Sequence, residues 1–242
     1  MKTALITGSS RGIGRALALR LAKEGYKVIL HGIMDSPKAE EVKTLIEKAG
    51  GVAEFIPADL SNPENISLLS EAAKNCDVLV LNASVQIKKK WEDITTEDAY
   101  TQINCNFVSS LKLIQAAVPH MKENNWGRII TIGSVQEAKP HPDMLIYSAT
   151  KAAQTNMVKS LSLQLASFGI TVNNVAPGVI YTDRNVDALS DPVYAKKVMD
   201  SIPVGFYGEP DDCAGIVSLL CSEEGRYITG QNLFVDGGKS VQ

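Results

Sequence analysis

Short apolar runs rich in β-branched residues recur at positions 3–7, 27–31, 53–56, 78–81, 128–132, 171–175 and 233–235. They are short for helices and apolar at successive positions, which predicts seven strands buried on both faces. Between them lie longer stretches with helical spacing. Ile13, Leu17 and Leu21 recur every four residues, and helices are predicted at 63–74, 97–122 and 147–168. The alternation predicts an α/β class: a single-domain Rossmann-type doubly wound parallel sheet of about seven strands, with helices on both faces, over residues 1–242. The stretch 179–207 fits neither period; Asp191-Pro192, Pro203 and Gly205 surround a short helical pattern. It reads as a substrate lid, the alternative being a plain surface excursion.

Composition supports a packed core, with 45% hydrophobic and 21% charged residues in 242. The 24 basic and 27 acidic side chains leave a net charge of −3, no footprint for nucleic acid or an anionic membrane, so a small-molecule partner is expected. The first apolar run is too short for a signal-peptide core or a membrane span, and a cytoplasmic location is expected. Cys76, Cys105, Cys213 and Cys221 form no Cys-x-x-Cys pair, and His31, His120 and His141 lie far apart. No metal site is expected, and the cysteines read as small buried apolar residues.

Directly after the first strand comes Thr7-Gly8-Ser9-Ser10-Arg11-Gly12-Ile13-Gly14, which opens a helix. Glycines there permit a tight turn and close backbone approach, so that a pyrophosphate can rest on free N–H groups at the positive end of the helix dipole. Tyr147 and Lys151 stand four residues apart at a helix start, which puts both on one face. A phenol exchanges protons poorly at neutral pH, and a neighbouring ammonium favours the phenolate. Ser134 ends the fifth strand, at the carboxyl edge where open α/β sheets bind ligands. It lacks the second glycine of a Gly-x-Ser-x-Gly elbow, which argues against a hydrolase nucleophile.

The glycine spacing and the Tyr-x-x-x-Lys pair resemble the short-chain dehydrogenase/reductase family. So do Asp59-Leu60, Asn82-Ala83, Asn106, Ser134, Pro177-Gly178 with Thr182, and Val235-Asp236-Gly237-Gly238, over essentially the whole chain. The resemblance implies an NAD(P)(H)-dependent oxidoreductase acting on a carbonyl/alcohol pair, with Asn106, Ser134, Tyr147 and Lys151 catalytic. It implies a cofactor site of Gly8, Ser10, Arg11, Gly12, Ile13, Gly14, Asp59, Leu60, Asn82, Ala83, Tyr147, Lys151, Pro177, Gly178, Ile180 and Thr182. Within it Asp59 would take the adenine amino group, Asn82 and Ala83 would flank a ribose, and Thr182 would hold the carboxamide. Tyr147 would exchange the proton, Ser134 would polarise the substrate oxygen, Lys151 would hold the nicotinamide ribose, and Asn106, with Asn104 as competitor, would order a relay water. The resemblance also implies a homotetramer built on the helices at 97–122 and 147–168.

Cofactor choice has a physical handle. The second strand ends Leu30-His31-Gly32 with no acid until Asp35, and Arg11 could pair with a 2′-phosphate. NADP(H) is therefore favoured, with NAD(H) possible. Leu81 and Ser84 depart from the family's Asn-Asn-Ala-Gly around Asn82-Ala83, and Ser84 gives up glycine's backbone freedom. By position Gln86, Gln136, His141, Met144, Ile180, Asp183 and Arg184 would line a pocket; Gln136, His141 and Arg184, with Ser134 and Tyr147, are the substrate candidates. The chain looks most like 3-oxoacyl-carrier-protein reductases and sugar or polyol dehydrogenases. A carrier-protein reductase would want a basic docking surface, to which Arg128 could contribute, whereas Phe168 stands where a basic residue would help. The run Lys88-Lys89-Lys90 reads as a solvated face, and Phe206 as a substrate or subunit contact. A non-catalytic NAD(P)-binding sensor is the alternative function, disfavoured by the presence of Ser134, Tyr147 and Lys151 together.

Overall fold

The computed structural model describes the backbone of residues 1–242 and the side chains of all but Arg184, Asp187 and Ala188. Strands and helices alternate: β1 (Thr3–Ile6), α1 (Gly12–Lys23), β2 (Lys27–Gly32), α2 (Pro37–Lys48), β3 (Val52–Pro57), α3 (Ser67–Ala73), β4 (Val78–Leu81), α4 (Thr96–Ile103), α5 (Ser109–Glu123), β5 (Gly127–Ile132), α6 (Leu145–Leu165), β6 (Ile170–Pro177), α7 (Asp183–Leu189), α8 (Pro192–Asp200), α9 (Pro210–Cys221) and β7 (Asn232–Val235). All seven strands lie parallel in one sheet, in the order β3-β2-β1-β4-β5-β6-β7. The order reverses between β1 and β4, so the turns leaving these two strands diverge to opposite faces and open a crevice at the carboxyl edge.

The predicted strands are all present, with ends shifted by a residue or two. Two apolar layers explain why their sequences do not alternate with polar residues. Ala4, Ile6, Val28, Leu30, Val80 and Ile130 pack under α1, α2 and α9, against Leu17, Val42 and Val217. Leu5, Ile29, Leu79, Leu81 and Ile129 face the other way, onto Leu69 of α3, Leu113 of α5 and Val158 of α6. Both sides of the sheet are therefore core, and its strands must be apolar throughout.

Three helical predictions need correction. The stretch predicted as one helix over 97–122 is α4 and α5 joined by a π turn at Asn104–Val108. Its start is fixed by a capping box between Thr95 and Asp98. The helix predicted at 63–74 shortens to α3, and the one at 147–168 begins earlier, at Leu145, and tightens to a 3₁₀ turn at Ala166–Phe168. Gly169 then ends it with φ 68°, a left-handed conformation suited to glycine. All four cysteines are free and buried.

Candidate active site

The glycine-rich turn is stitched to the turn after β4. The Thr7 hydroxyl accepts the N–H groups of Asn82 and Ala83 at 2.9 and 3.0 Å, and the Asn82 amide returns two bonds to the carbonyls of Thr7 and Gly8. Gly8 has φ 65°, and a Cβ on Gly14 would lie 2.2 Å from the Gly8 carbonyl oxygen. Only glycine permits that turn and that approach of helix to strand. Arg11 stands at the N-cap of α1 without a side-chain capping bond, and no acid stands in the first turn to cancel the positive helix end.

A cleft of about 890 Å³ runs along the carboxyl edge of the sheet. Every residue of the expected cofactor set lines it except Gly14, which backs the turn from behind. Thr182 lies close enough that a Cβ on Gly12 would touch its methyl group at 3.3 Å. Asp59, at the far end, accepts the N–H and hydroxyl of Ser61 on one oxygen at 2.9 and 2.7 Å.

Ser134, Tyr147 and Lys151 share one wall of the cleft. Ser134 stands two residues past the end of β5, and its hydroxyl accepts the Gln136 N–H at 3.2 Å. One turn apart on α6, Tyr147 and Lys151 put the Lys151 ammonium 5.6 Å from the tyrosine ring centroid. Lys151 is only 1% exposed and its ammonium donates to the Ile132 carbonyl at 2.7 Å, which ties α6 to the end of β5, two residues before Ser134. Behind the wall, outside the cleft, Glu137 accepts from Thr155 at 2.5 Å, Asn232 at 2.6 Å and Asn174 at 3.3 Å. Burial pushes the Glu137 carboxyl above its usual range, while those donors and the Lys151 charge pull it back.

Asn106 is fully buried in the π turn. Its side-chain oxygen accepts the Val85 N–H at 2.8 Å, and its amide donates to the Val85 carbonyl and the Thr150 hydroxyl, both at 3.0 Å. It therefore braces Val85, which lines the cleft, against α6 without lining the cleft itself. The π turn frees the Asn106 carbonyl, which accepts from Gln154 at 2.6 Å and Ser110 at 3.1 Å. Asn104, the competitor, faces away, its amide donating to the Ser61 carbonyl.

At the substrate end, Gln136 and His141 both line the cleft. The Gln136 side-chain oxygen accepts the His141 N–H at 2.7 Å and the Ser148 hydroxyl at 3.3 Å, so it shapes the loop before α6. Gln86, Met144 and Ile180 line the cleft as well, and Asp183 lines it on the dinucleotide side, where Lys38 holds it. The Arg184 side chain lies outside the described residues. Arg128 cannot serve as a docking cation: it is 1% exposed, under Trp126, and donates to the carbonyls of Gly127, Gly169 and Ser222. Phe206 is exposed and is not among the residues lining the cleft. Lys89 is held by Asp98 at 2.6 Å.

Several lining residues escaped the sequence reading: His31, Ser36 and Lys38 near the second strand, and Tyr194, Lys197, Ser201 and Lys239 at the substrate end. Lys38 pairs with Asp183 of α7 across the cleft mouth. Short-range patterns give no sign of such pairs; the only hint at the second strand was its lack of an acid.

A family model described as enoyl-(acyl carrier protein) reductase matches residues 8–240. The chain is 36% identical over 246 residues to glucose 1-dehydrogenase 2 of Bacillus subtilis, covering 99% of this chain and 95% of that one. It is 38% identical over 250 residues to a 3-oxoacyl-[acyl-carrier-protein] reductase of Staphylococcus aureus, covering 98% and 97%. The chain belongs to the short-chain dehydrogenase/reductase family. A solved 3-oxoacyl (acyl-carrier-protein) reductase of Agrobacterium tumefaciens C58, with NADP bound, superposes with a TM-score of 0.92 at 36% identity, over 98% of this chain and 93% of that one. Family membership thus agrees with the sheet order, the glycine-rich turn and the Ser134, Tyr147 and Lys151 wall.

Proposed function

We propose that the protein is an NADP(H)-dependent oxidoreductase that interconverts a carbonyl and an alcohol in the cleft at the carboxyl edge of the sheet. The observation that carries this reading is the convergence of Ser134, Tyr147 and Lys151 on one wall of a cleft that also holds the glycine-rich turn. The fit of a dinucleotide rests on Gly8 and Gly14, whose close packing leaves the α1 N-terminus open, and on the absence of an acid in its first turn. Bound NADP(H) supplies or accepts the hydride.

The chain's own groups handle the proton and the oxygen. Ser134 donates a hydrogen bond to the substrate oxygen and polarises the C=O bond, and Tyr147 gives its phenolic proton to that oxygen in reduction or takes it back in oxidation. The buried Lys151 cation stabilises negative charge on the phenolic oxygen as the proton leaves. Asn106 is a positioning residue in this scheme, holding Val85 and α6 in register. Residues 179–207, including α7 and α8, act as the lid of a single catalytic domain. The relatives' names point to acyl thioesters or sugars as substrate types, and the enzyme acts in the cytoplasm, where four free thiols are at home.

The test is NADPH oxidation against acetoacetyl thioesters, keto sugars and diketones. At least one should be reduced, and Tyr147→Phe should lower kcat by about three orders of magnitude or more while NADPH binding, read by fluorescence, stays near wild type. Turnover retained in Tyr147→Phe removes the proposed acid; no reduction of any carbonyl by an enzyme that binds NADPH favours the sensor reading.

A further inference from the structure

Charge is distributed unevenly along the cleft. Among the described lining residues the carboxylates are Asp59 and Asp183, both on the dinucleotide side, and Asp183 is held by Lys38. The substrate end carries Lys197 of α8 and Lys239 of the turn after β7, and no carboxylate among the described residues there.

Lys239 is fixed from both sides. The preceding turn is braced by the lid, because the Val204 N–H donates to the Gly237 carbonyl at 3.2 Å and a Cβ on Gly237 would meet the Val204 and Ile202 side chains within 3 Å. Its main-chain oxygen accepts from Lys139, five residues past Ser134, at 3.2 Å. Its half-buried ammonium donates to the Ser201 hydroxyl at the end of α8, and that hydroxyl gives its own proton to the Val198 carbonyl at 2.6 Å. Lys239 therefore stands where the lid meets the loop that follows Ser134, at the substrate end of the cleft.

The nearby acid does not neutralise this cation by direct pairing. One Asp236 oxygen accepts the Gly238 N–H at 3.0 Å and the other the Ser240 N–H at 2.6 Å, so both are engaged in their own turn. Burial, and then the Lys139 charge, push the Lys239 ammonium below its ordinary lysine value, with Asp236 opposing. A half-buried cation with a hydroxyl partner is poorly compensated, and a bound anion would complete it.

We propose that the substrate is an oxo or hydroxy acid whose free carboxylate is anchored by the Lys239 ammonium, which Ser201 holds in place, with the reacting carbon presented to Ser134 and Tyr147. One ammonium matches the single charge of a carboxylate; a phosphate dianion would call for more donors. Lys197 adds a positive field at the entrance that draws such acids in. This inference rests on the reading of the cleft as a carbonyl/alcohol oxidoreductase site.

Pairs of short oxo acids and their methyl esters, assayed with NADPH, test it. The wild type should show kcat/KM for the acids about 10- to 100-fold above the esters, the range expected of a charge-assisted hydrogen bond. Lys239→Met should collapse that ratio to within about threefold of unity, and Lys239→Arg should retain most of it. Circular dichroism confirms that each variant is folded. Equal use of acid and ester by the wild type, or an acid preference that survives in Lys239→Met, overturns the carboxylate anchor and leaves the oxidoreductase reading standing. Reduction of neither acids nor esters nor uncharged ketones overturns both.

Discussion

His31 shows how much one buried side chain does for the cofactor turn. Its Nδ1 accepts the Gly8 N–H at 2.9 Å and its Nε2 lies 3.0 Å from the Ala58 carbonyl, an arrangement that requires a neutral ring with its proton on Nε2. Protonation would set a second N–H against the Gly8 amide. Burial lowers the His31 pKa from the ordinary 6.5, against the opposing pull of the Ala58 hydrogen bond and the Asp59 charge. Above pH 6.5 the ring is neutral in both folded and unfolded chains. Below it the unfolded chain takes up a proton that the folded one refuses, so this contribution to stability falls with pH until His31 is protonated in the folded state too. His31→Leu, which keeps bulk but neither accepts nor titrates, should cost about 1–3 kcal/mol at pH 7.5 by stranding the Gly8 N–H. Chemical denaturation from pH 7.5 to 5 should show the gap between wild type and variant narrowing; a constant gap would deny the neutral clamp. Nothing in the sequence singled out this histidine, because its partners are 23 and 27 positions away. Tyr147 and Lys151, by contrast, were legible from spacing along a single helix turn.

At the scale of elements, cofactor choice turns on β2 and the start of α2. The missing acid after β2 is a local feature and could be read directly. Lys38 could not, since it enters the site through the fold and meets Asp183, 145 residues away. Arg11 at the α1 cap and Lys38 on the first turn of α2 both line the cleft, giving two cations where an NAD-binding chain would carry a carboxylate. A 2′-phosphate would compete with Asp183 for Lys38 and would attract Arg11 as well. Arg11→Ala and Lys38→Ala should each raise the KM for NADPH about tenfold and leave that for NADH nearly unchanged. An unaltered NADPH constant in Arg11→Ala would remove the phosphate contact from that residue. The π turn between α4 and α5 is the element least visible in sequence. Its apolar spacing continues from one helix to the next, and the extra residue shows only in the hydrogen bonds that free the Asn106 carbonyl.

The whole molecule leaves apolar side chains uncovered in places that bear on assembly. The strand count and the helix-covered parallel sheet were legible because both faces of the sheet are core, which leaves runs such as Val78–Leu81 apolar throughout. Subunit contacts are harder to read, since an interface residue looks like any exposed one in sequence. Tyr100 and Ile103 on α4, and Leu145 and Leu163 on α6, remain 61%, 36%, 49% and 87% exposed in the isolated chain. Both helices belong to the pair on which the family resemblance rests a homotetramer, and we propose that these side chains are buried there against other subunits. Sedimentation equilibrium should then give a mass four times 26.1 kDa. Because Ile103 and Leu163 make little of the monomer's own core, changing both to Asp should leave the secondary structure intact while the mass falls to that of a smaller assembly. A wild-type mass of one chain would refute the tetramer, and a variant that stays tetrameric would move the interface off α4 and α6. The site adds its own consequence: α4 leads into the π turn that holds Asn106, and α6 carries Tyr147 and Lys151. Loss of the interface should therefore lower kcat more than it raises KM, because it loosens the wall that exchanges the proton.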